Sequence, residues 1–490
     1  MRFSNLLTLF SLSGPQSPLS NNGNTYNHIS SFIQEIETFE STKFTASPAN
    51  NDSLYWLKTP TEPPISLSQY EFQYVLRLSD WNDQPDFLLT AMEYAKALNT
   101  SIWATSLSNN FIDIQLSKDQ GVQLLSLLSE YSFKSKISII DLPQTIFETY
   151  PQSSLVDDSH SDFGTNTELF FKTYRDLDSI YSWYELLVAT YPEILKLEYI
   201  GNTFEGRPMI ALRLSTHSNL DPSDSIKTVV ITGGIHSREW ISVSTSCYIL
   251  YSLLKDYDNG SPLVREYLNN LDFLFLPLMN PDGYAFTWKS ERLWRKNKQQ
   301  TYNPRCRGID IDHSFDFHFT SDLESPCSDD YSGNAPFEAL ESLNWDRYLN
   351  ETKHSHPIYA YIDLHSYAQE VLYPYAYSCD ILPRDEENLL ELAYGLSQAI
   401  RLKSGKYYNV LKACQDKGAD FLPNMGAGSA LDYMYHNKAY WAFILKLRDS
   451  GTHGFLLPPK YIVPTGEEIY SSIKYFASFL LKDDGNWLFN

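Results

Sequence analysis

His236 and Glu239 stand three residues apart where an apolar run, KTVVITGG, gives way to HSREWIS. At a strand-to-helix turn that spacing lets one imidazole and one carboxylate converge on a cation at about 2.0–2.2 Å. The pair alone is a weak signal, because a hydrogen-bonded loop histidine beside a solvated glutamate is the plainer reading. His365 changes the balance by ending a second apolar run, IYAYIDLHS. Two histidines and a glutamate from two strand ends leave a fourth tetrahedral position open, which is the donor set of a catalytic zinc ion. Lys446 is discordant. It interrupts a third apolar run, YWAFILKL, and is either a strand-end cation or the remnant of a site.

The elements that must position these residues are legible around them. The runs KTVVITGG, LDFLFLPLMN, IYAYIDLHS and YWAFILKL have strand character and alternate with helical stretches such as WISVSTSCYILYSLLKDY, ENLLELAYGLSQAIR and EEIYSSIKYFASFLL. Buried strands alternating with helices predict an α/β fold over residues 171–485, its mixed sheet covered by helices on both faces. Sites in such folds gather at the carboxyl ends of strands, where His236 and His365 fall. Upstream, strand and helix patterns alternate over residues 66–145 and predict a small open α/β sandwich. Residues 18–65, rich in Ser, Asn, Thr and Pro, read as a disordered linker, and 146–170 as a polar connector. No Lys or Arg lies between Lys136 and Lys172, so trypsin-like proteases find no site in that connector.

Composition narrows the function classes. The 490 residues exceed a usual single core, and 43% hydrophobic content supplies two packed interiors. A net charge of -22 argues against nucleic acid, which needs a basic face. No apolar run reaches the roughly 18–20 residues that span a bilayer. The first residues, MRFSNLLTLFSLSG, resemble a secretory signal over 1–17, and sequons at Asn51, Asn99, Asn259 and Asn350 are acceptors in that setting. The five cysteines lack any CxxC pair. Cys247 reads as a buried helix residue; Cys306, Cys327, Cys379 and Cys414 can form two bridges, and chain order suggests 306–327 and 379–414 without proving it.

The motifs GGIHSREWIS, MNPDGYAFTW, RLWRKN, IDLHSYAQEVLYPYAY and LRDSGTHGFLLP, in this order, resemble the M14 metallocarboxypeptidases of the carboxypeptidase A type. The likeness covers about residues 170–485, and the upstream sandwich resembles that family's propeptide. It implies one zinc ion per chain, held by His236, Glu239 and His365. It further implies that Arg295 polarises a scissile carbonyl, and that Arg238 and Tyr367 line a peptide groove. Asp432 falls where the family shapes its specificity pocket and reads equally well as a structural cap; Leu431 reads as pocket wall or core. Asp363 reads as a strand-end group or a support for His365.

The departures from the family carry as much information. Where members grip a terminal carboxylate with an Asn-Arg pair, this chain has Asp312 and His313, which lack a guanidinium fork. Their mobile tyrosine aligns with Asn424. In active members the strand FELRDTG supplies the glutamate that takes a proton from zinc-bound water; here that position is Lys446. An ammonium has donors and no acceptor, so it is no base. At about 5 Å from zinc it would be repelled by roughly 7 kcal/mol, so it should turn away, pair with an acid such as Asp312, or deprotonate. This pattern resembles the inactive fungal metallocarboxypeptidase-like proteins linked to cell-wall organisation. It implies a secreted or vacuolar, zinc-binding pseudoenzyme; the connector without Lys or Arg is consistent with a propeptide that stays attached, and the expected partner is a peptide or protein C-terminus bound without cleavage. The rival readings are an active carboxypeptidase with altered C-terminal specificity and a zinc-free scaffold.

Overall fold

The computed structural model describes residues 22–45, 65–81, 84, 86–107, 109–151, 169–217, 226–321, 325–417 and 426–482. The amino-terminal domain is a four-stranded antiparallel sheet of β1 (Gln73–Ser79), β2 (Ser101–Ser106), β3 (Phe111–Ser117) and β4 (Lys134–Ile139), ordered β2-β3-β1-β4. Strand alternation divides its side chains between two cores. Tyr74, Leu76, Leu78, Ile112, Ile114 and Leu116 pack with helices Phe87–Ala97 and Lys118–Leu127. Val75, Phe111 and Ile139 point the other way, into the core of the larger domain.

One expectation is overturned here. Within the stretch read as a disordered linker, Asn22–Thr45 is a helix. Ile29, Phe32 and Ile36 recur at helical spacing, and Phe32 and Ile36 are buried in the small domain's core. Lys43 bonds Asp141 at 2.9 Å, and Lys118 reaches back to Glu37 at 2.9 Å. The polar composition concealed a one-sided apolar stripe. The expected signal segment, the connector 152–168 and the sequon at Asn51 lie outside the described residues.

The larger domain is built on an eight-stranded mixed sheet of β5 (Leu195–Asn202), β6 (Pro208–Leu214), β7 (Lys227–Gly233), β8 (Leu271–Leu276), β9 (Ile358–Ser366), β10 (Glu370–Tyr373), β11 (Asn409–Lys412) and β12 (Trp441–Leu447). Its order is β11-β10-β12-β9-β7-β8-β6-β5. The central strands β8, β7, β9 and β12 run parallel. Every residue of β8 and β9 is buried, so helices cover both faces at the centre, as continuous apolar runs require. Helices Trp240–Asp258 and Glu386–Ser404 both pack on Ile462–Lys482.

Disulfides join Cys306 to Cys327 and Cys379 to Cys414, with Cα atoms 4.7 and 5.4 Å apart. Cys247 is a buried free thiol in the helix Trp240–Asp258. Asn99, Asn259 and Asn350 are exposed. Among the described residues no helix is long and apolar enough to cross a membrane. The two bridges are the chemistry of an oxidising compartment such as the secretory pathway.

Candidate metal centre

β7 ends in two glycines that turn the chain sharply toward the helix at Trp240. Gly234 has φ +61°, and a Cβ there would lie 2.8 Å from Val243, so a side chain is excluded on both counts. The turn delivers His236 and Glu239 to the carboxyl end of the sheet, where β9 delivers His365. His236 Nδ1 lies 2.9 Å from Glu239 Oε1 and 3.2 Å from His365 Nδ1, which is 3.4 Å from Glu239 Oε2. All three side chains are buried. Two ring nitrogens facing each other beside a carboxylate need a proton or a cation between them. Donors about 2.0–2.2 Å from a tetrahedral zinc are separated by about 3.3–3.6 Å, so the three groups need open by only a few tenths of an ångström to admit such an ion. Burial opposes charge on Glu239, but the two imidazoles outweigh it and hold the carboxyl well below the usual range.

Carboxylates stand behind both rings. His236 Nε2 is 3.3 Å from Asp310 Oδ1, and His365 Nε2 is 3.2 Å from Asp363 Oδ2. Asp363 is itself oriented by hydroxyls of Thr232 at 2.7 Å and Tyr361 at 3.0 Å. Such contacts hold each ring with Nδ1 free for a metal. Asp310 was not singled out from sequence, although its place two residues before Asp312 in GIDIDH puts both on one side of the chain.

The opposite wall differs. Lys446 is the register partner of His365 across the parallel β9–β12 ladder. It does not pair with Asp312, as the sequence suggested. Its ammonium donates to Asp416 and lies 3.6 Å from Glu370 Oε2, because β12 also runs antiparallel to β10, where Glu370 is its cross-strand neighbour. Burial works against the charge, but Asp416 and Glu370 outweigh it and raise the ammonium's pKa. The two carboxylates thus favour the ammonium form of Lys446.

Asp312 accepts the Ala430 N–H at 3.2 Å, and His313 Nδ1 sits 3.0 Å from the Ala427 carbonyl, so both are tied to the loop entering the helix Ala430–Asn437. Arg295 makes two bonds to Asp310, at 2.7 and 3.2 Å. Arg238 is buried against Phe455 and bonds Asp329 at 3.3 Å. Asp432 caps the backbone N–H groups of Ala376 and Tyr377 at 2.8 and 2.9 Å, and Leu431 is fully buried beside it. Burial pushes the Asp432 carboxyl up to about 7. Asn424 lies outside the described residues.

A family model described as zinc carboxypeptidase matches residues 180–472. The chain belongs to the zinc carboxypeptidase family. It is 53% identical over 380 residues to the inactive metallocarboxypeptidase ECM14 of Saccharomyces cerevisiae, covering 78% of this chain and 86% of the relative. A protein of the same description from Ajellomyces dermatitidis is 40% identical over 452 residues, covering 86% and 75%. The fold is shared with thrombin activatable fibrinolysis inhibitor (TM-score 0.70, 24% identity, 84% of this chain and 99% of that one). It is shared likewise with the carboxypeptidase A of Helicoverpa armigera (TM-score 0.73, 23% identity, 85% and 99%).

In this zinc carboxypeptidase family member the small domain reaches Tyr367 directly. The Tyr367 hydroxyl, buried, donates to Asp113 Oδ2 at 2.6 Å, and Arg77 holds the same carboxylate at 2.7 and 2.6 Å. Arg77 also bonds the Ser450 carbonyl at 2.8 Å. Trp103 packs on Phe455, with ring centres 5.3 Å apart. Arg77 and Asp113 face the larger domain by the same strand alternation that aims Val75 and Phe111 there. Sequence reading missed both, since nothing local distinguishes a strand's charged residue that faces water from one that faces another domain.

Proposed function

We propose that this chain is a metal-holding pseudoenzyme of the zinc carboxypeptidase family. It keeps one zinc ion on His236, Glu239 and His365 and does not hydrolyse peptides. The observation that carries this reading is the charged Lys446 on the strand beside His365. A general base is missing there, and losing such a base costs about 10²–10⁴ in rate. The absence of a guanidinium at Asp312 and His313 removes the grip on a terminal carboxylate as well. Relatives described as inactive metallocarboxypeptidases support the same conclusion. When bound, zinc would supply Lewis acidity at the open fourth position, where Lys446 stands in place of the family's proton acceptor.

We place its role in cell-wall organisation, with the protein secreted or vacuolar. The partner class is a peptide or protein C-terminus bound without cleavage. Such a partner must displace Asp113 from Tyr367 and Asp329 from Arg238, so it binds only if the small domain yields. Metal analysis of the purified chain together with a panel of C-terminally varied peptides tests the reading. The expected result is one zinc per chain and no hydrolysis. Cleavage that disappears in His236→Ala would make it an active carboxypeptidase of altered specificity; zinc well below stoichiometry would make it a scaffold.

A further inference from the structure

Lys446 is a difficulty for the metal reading. Neighbouring strands lie about 4.8 Å apart, and the ladder sets Lys446 beside His365, so its ammonium competes with any divalent ion for Glu239. Two carboxylates oppose it. Asp416 takes its hydrogen bond and Glu370 lies 3.6 Å away, both buried. Each is held by independent structure. Asp416 sits in the short helix Ala413–Lys417, two residues past Cys414, whose bridge to Cys379 anchors that turn. Glu370 opens β10 opposite Lys446. Consecutive residues of β2 complete the arrangement from the other domain: Thr105 Oγ1 donates to the Asp416 carbonyl at 3.3 Å, and Ser106 Oγ donates to Glu370 Oε1 at 2.6 Å.

We propose that Asp416 and Glu370, braced by Thr105 and Ser106, form an anionic cradle that draws the Lys446 ammonium away from the centre and lets His236, Glu239 and His365 retain a divalent cation. The inference rests on the metal reading above. Two carboxylates against one ammonium leave a net charge of -1 beside the centre, where an isolated lysine would present +1. The amino-terminal domain is then part of the cation site as well as a cover over the groove. Glu370 and Asp416 are positioning residues: they touch the lysine, and the lysine faces the centre.

The test is competition for zinc against a chromophoric chelator, using the full chain. Asp416→Asn and Glu370→Gln should each weaken zinc binding by about ten- to hundredfold, the range for groups behind a ligand shell. Adding Lys446→Met to either variant should restore affinity to the wild-type level or above, because the cation they neutralise is gone. Ser106→Ala keeps every charge, so it carries the test if the acid variants do not fold; it should weaken zinc by about fivefold, the worth of one hydrogen bond. Unchanged affinity in Glu370→Gln and Ser106→Ala would overturn the inference. So would a weakening that Lys446→Met fails to rescue, which would mark the acids as structural only. A wild-type chain that takes up no zinc at all sinks the metal reading itself, before any variant is compared.

Discussion

The strand ends of β7 and β9 and the facing end of β12 form two walls of one site with opposite electrostatic plans. On the first, two imidazole nitrogens and a carboxylate converge at 2.9–3.4 Å with further carboxylates behind them, an arrangement incomplete without a cation. On the second, the cation is built in and carries its own anions, Asp416 and Glu370. The first wall holds groups that the fold alone leaves imperfectly paired, including His236 Nε2 and His365 Nε2. On the second, the carboxylates face an ammonium that the chain itself supplies. Stability and ligand binding should therefore separate along this line.

Substitution on the Lys446 wall should be the most damaging to folding. Lys446→Met strands two carboxylates that are 2% and 0% exposed, and denaturation should show a loss of about 3–5 kcal/mol whether or not metal is supplied. The small-domain ion pair at the domain junction comes next. Asp113→Ala leaves Arg77 without its partner, but that side chain is 20% exposed, so the loss should be about 2–3 kcal/mol, with faster proteolysis at the domain junction. The smallest effect should come from the wall of His236, Glu239 and His365. In metal-free protein His236→Ala should cost only about 1–2 kcal/mol, since it also relieves the nitrogen facing His365. Added zinc should raise the melting temperature of wild type and leave that of this variant unmoved. If His236→Ala proves as destabilising without metal as Lys446→Met, the two walls are not distinct.

Elements with a clean period were readable from the chain. IYAYIDLHS is a fully buried strand, and the helix Leu177–Thr190 carries its apolar stripe plainly. β10 and β11 were not seen, because four residues are too few to show alternation. β5 was missed because a bulge near Tyr199 breaks its period and leaves Leu197 and Tyr199 exposed. The three candidate ligands were legible because His365 ends one apolar run and His236 and Glu239 follow the end of another. Their supports were not. Asp416 lies 30 residues from Lys446 and Asp113 lies 254 from Tyr367, so these partners are fixed by register and docking, which no local pattern records.

The divided allegiance of β1 and β3 has a consequence for how the chain survives cutting. Val75, Trp103, Phe111, Ile139, Leu142, Ile146 and Tyr150 all belong to the larger domain's core, though they precede residue 152. Burying that many large side chains is worth on the order of 10 kcal/mol. A protease that severs the backbone between residues 151 and 169 would produce two polypeptides that still travel as one particle. A denaturing gel would show the nick, whereas gel filtration would not.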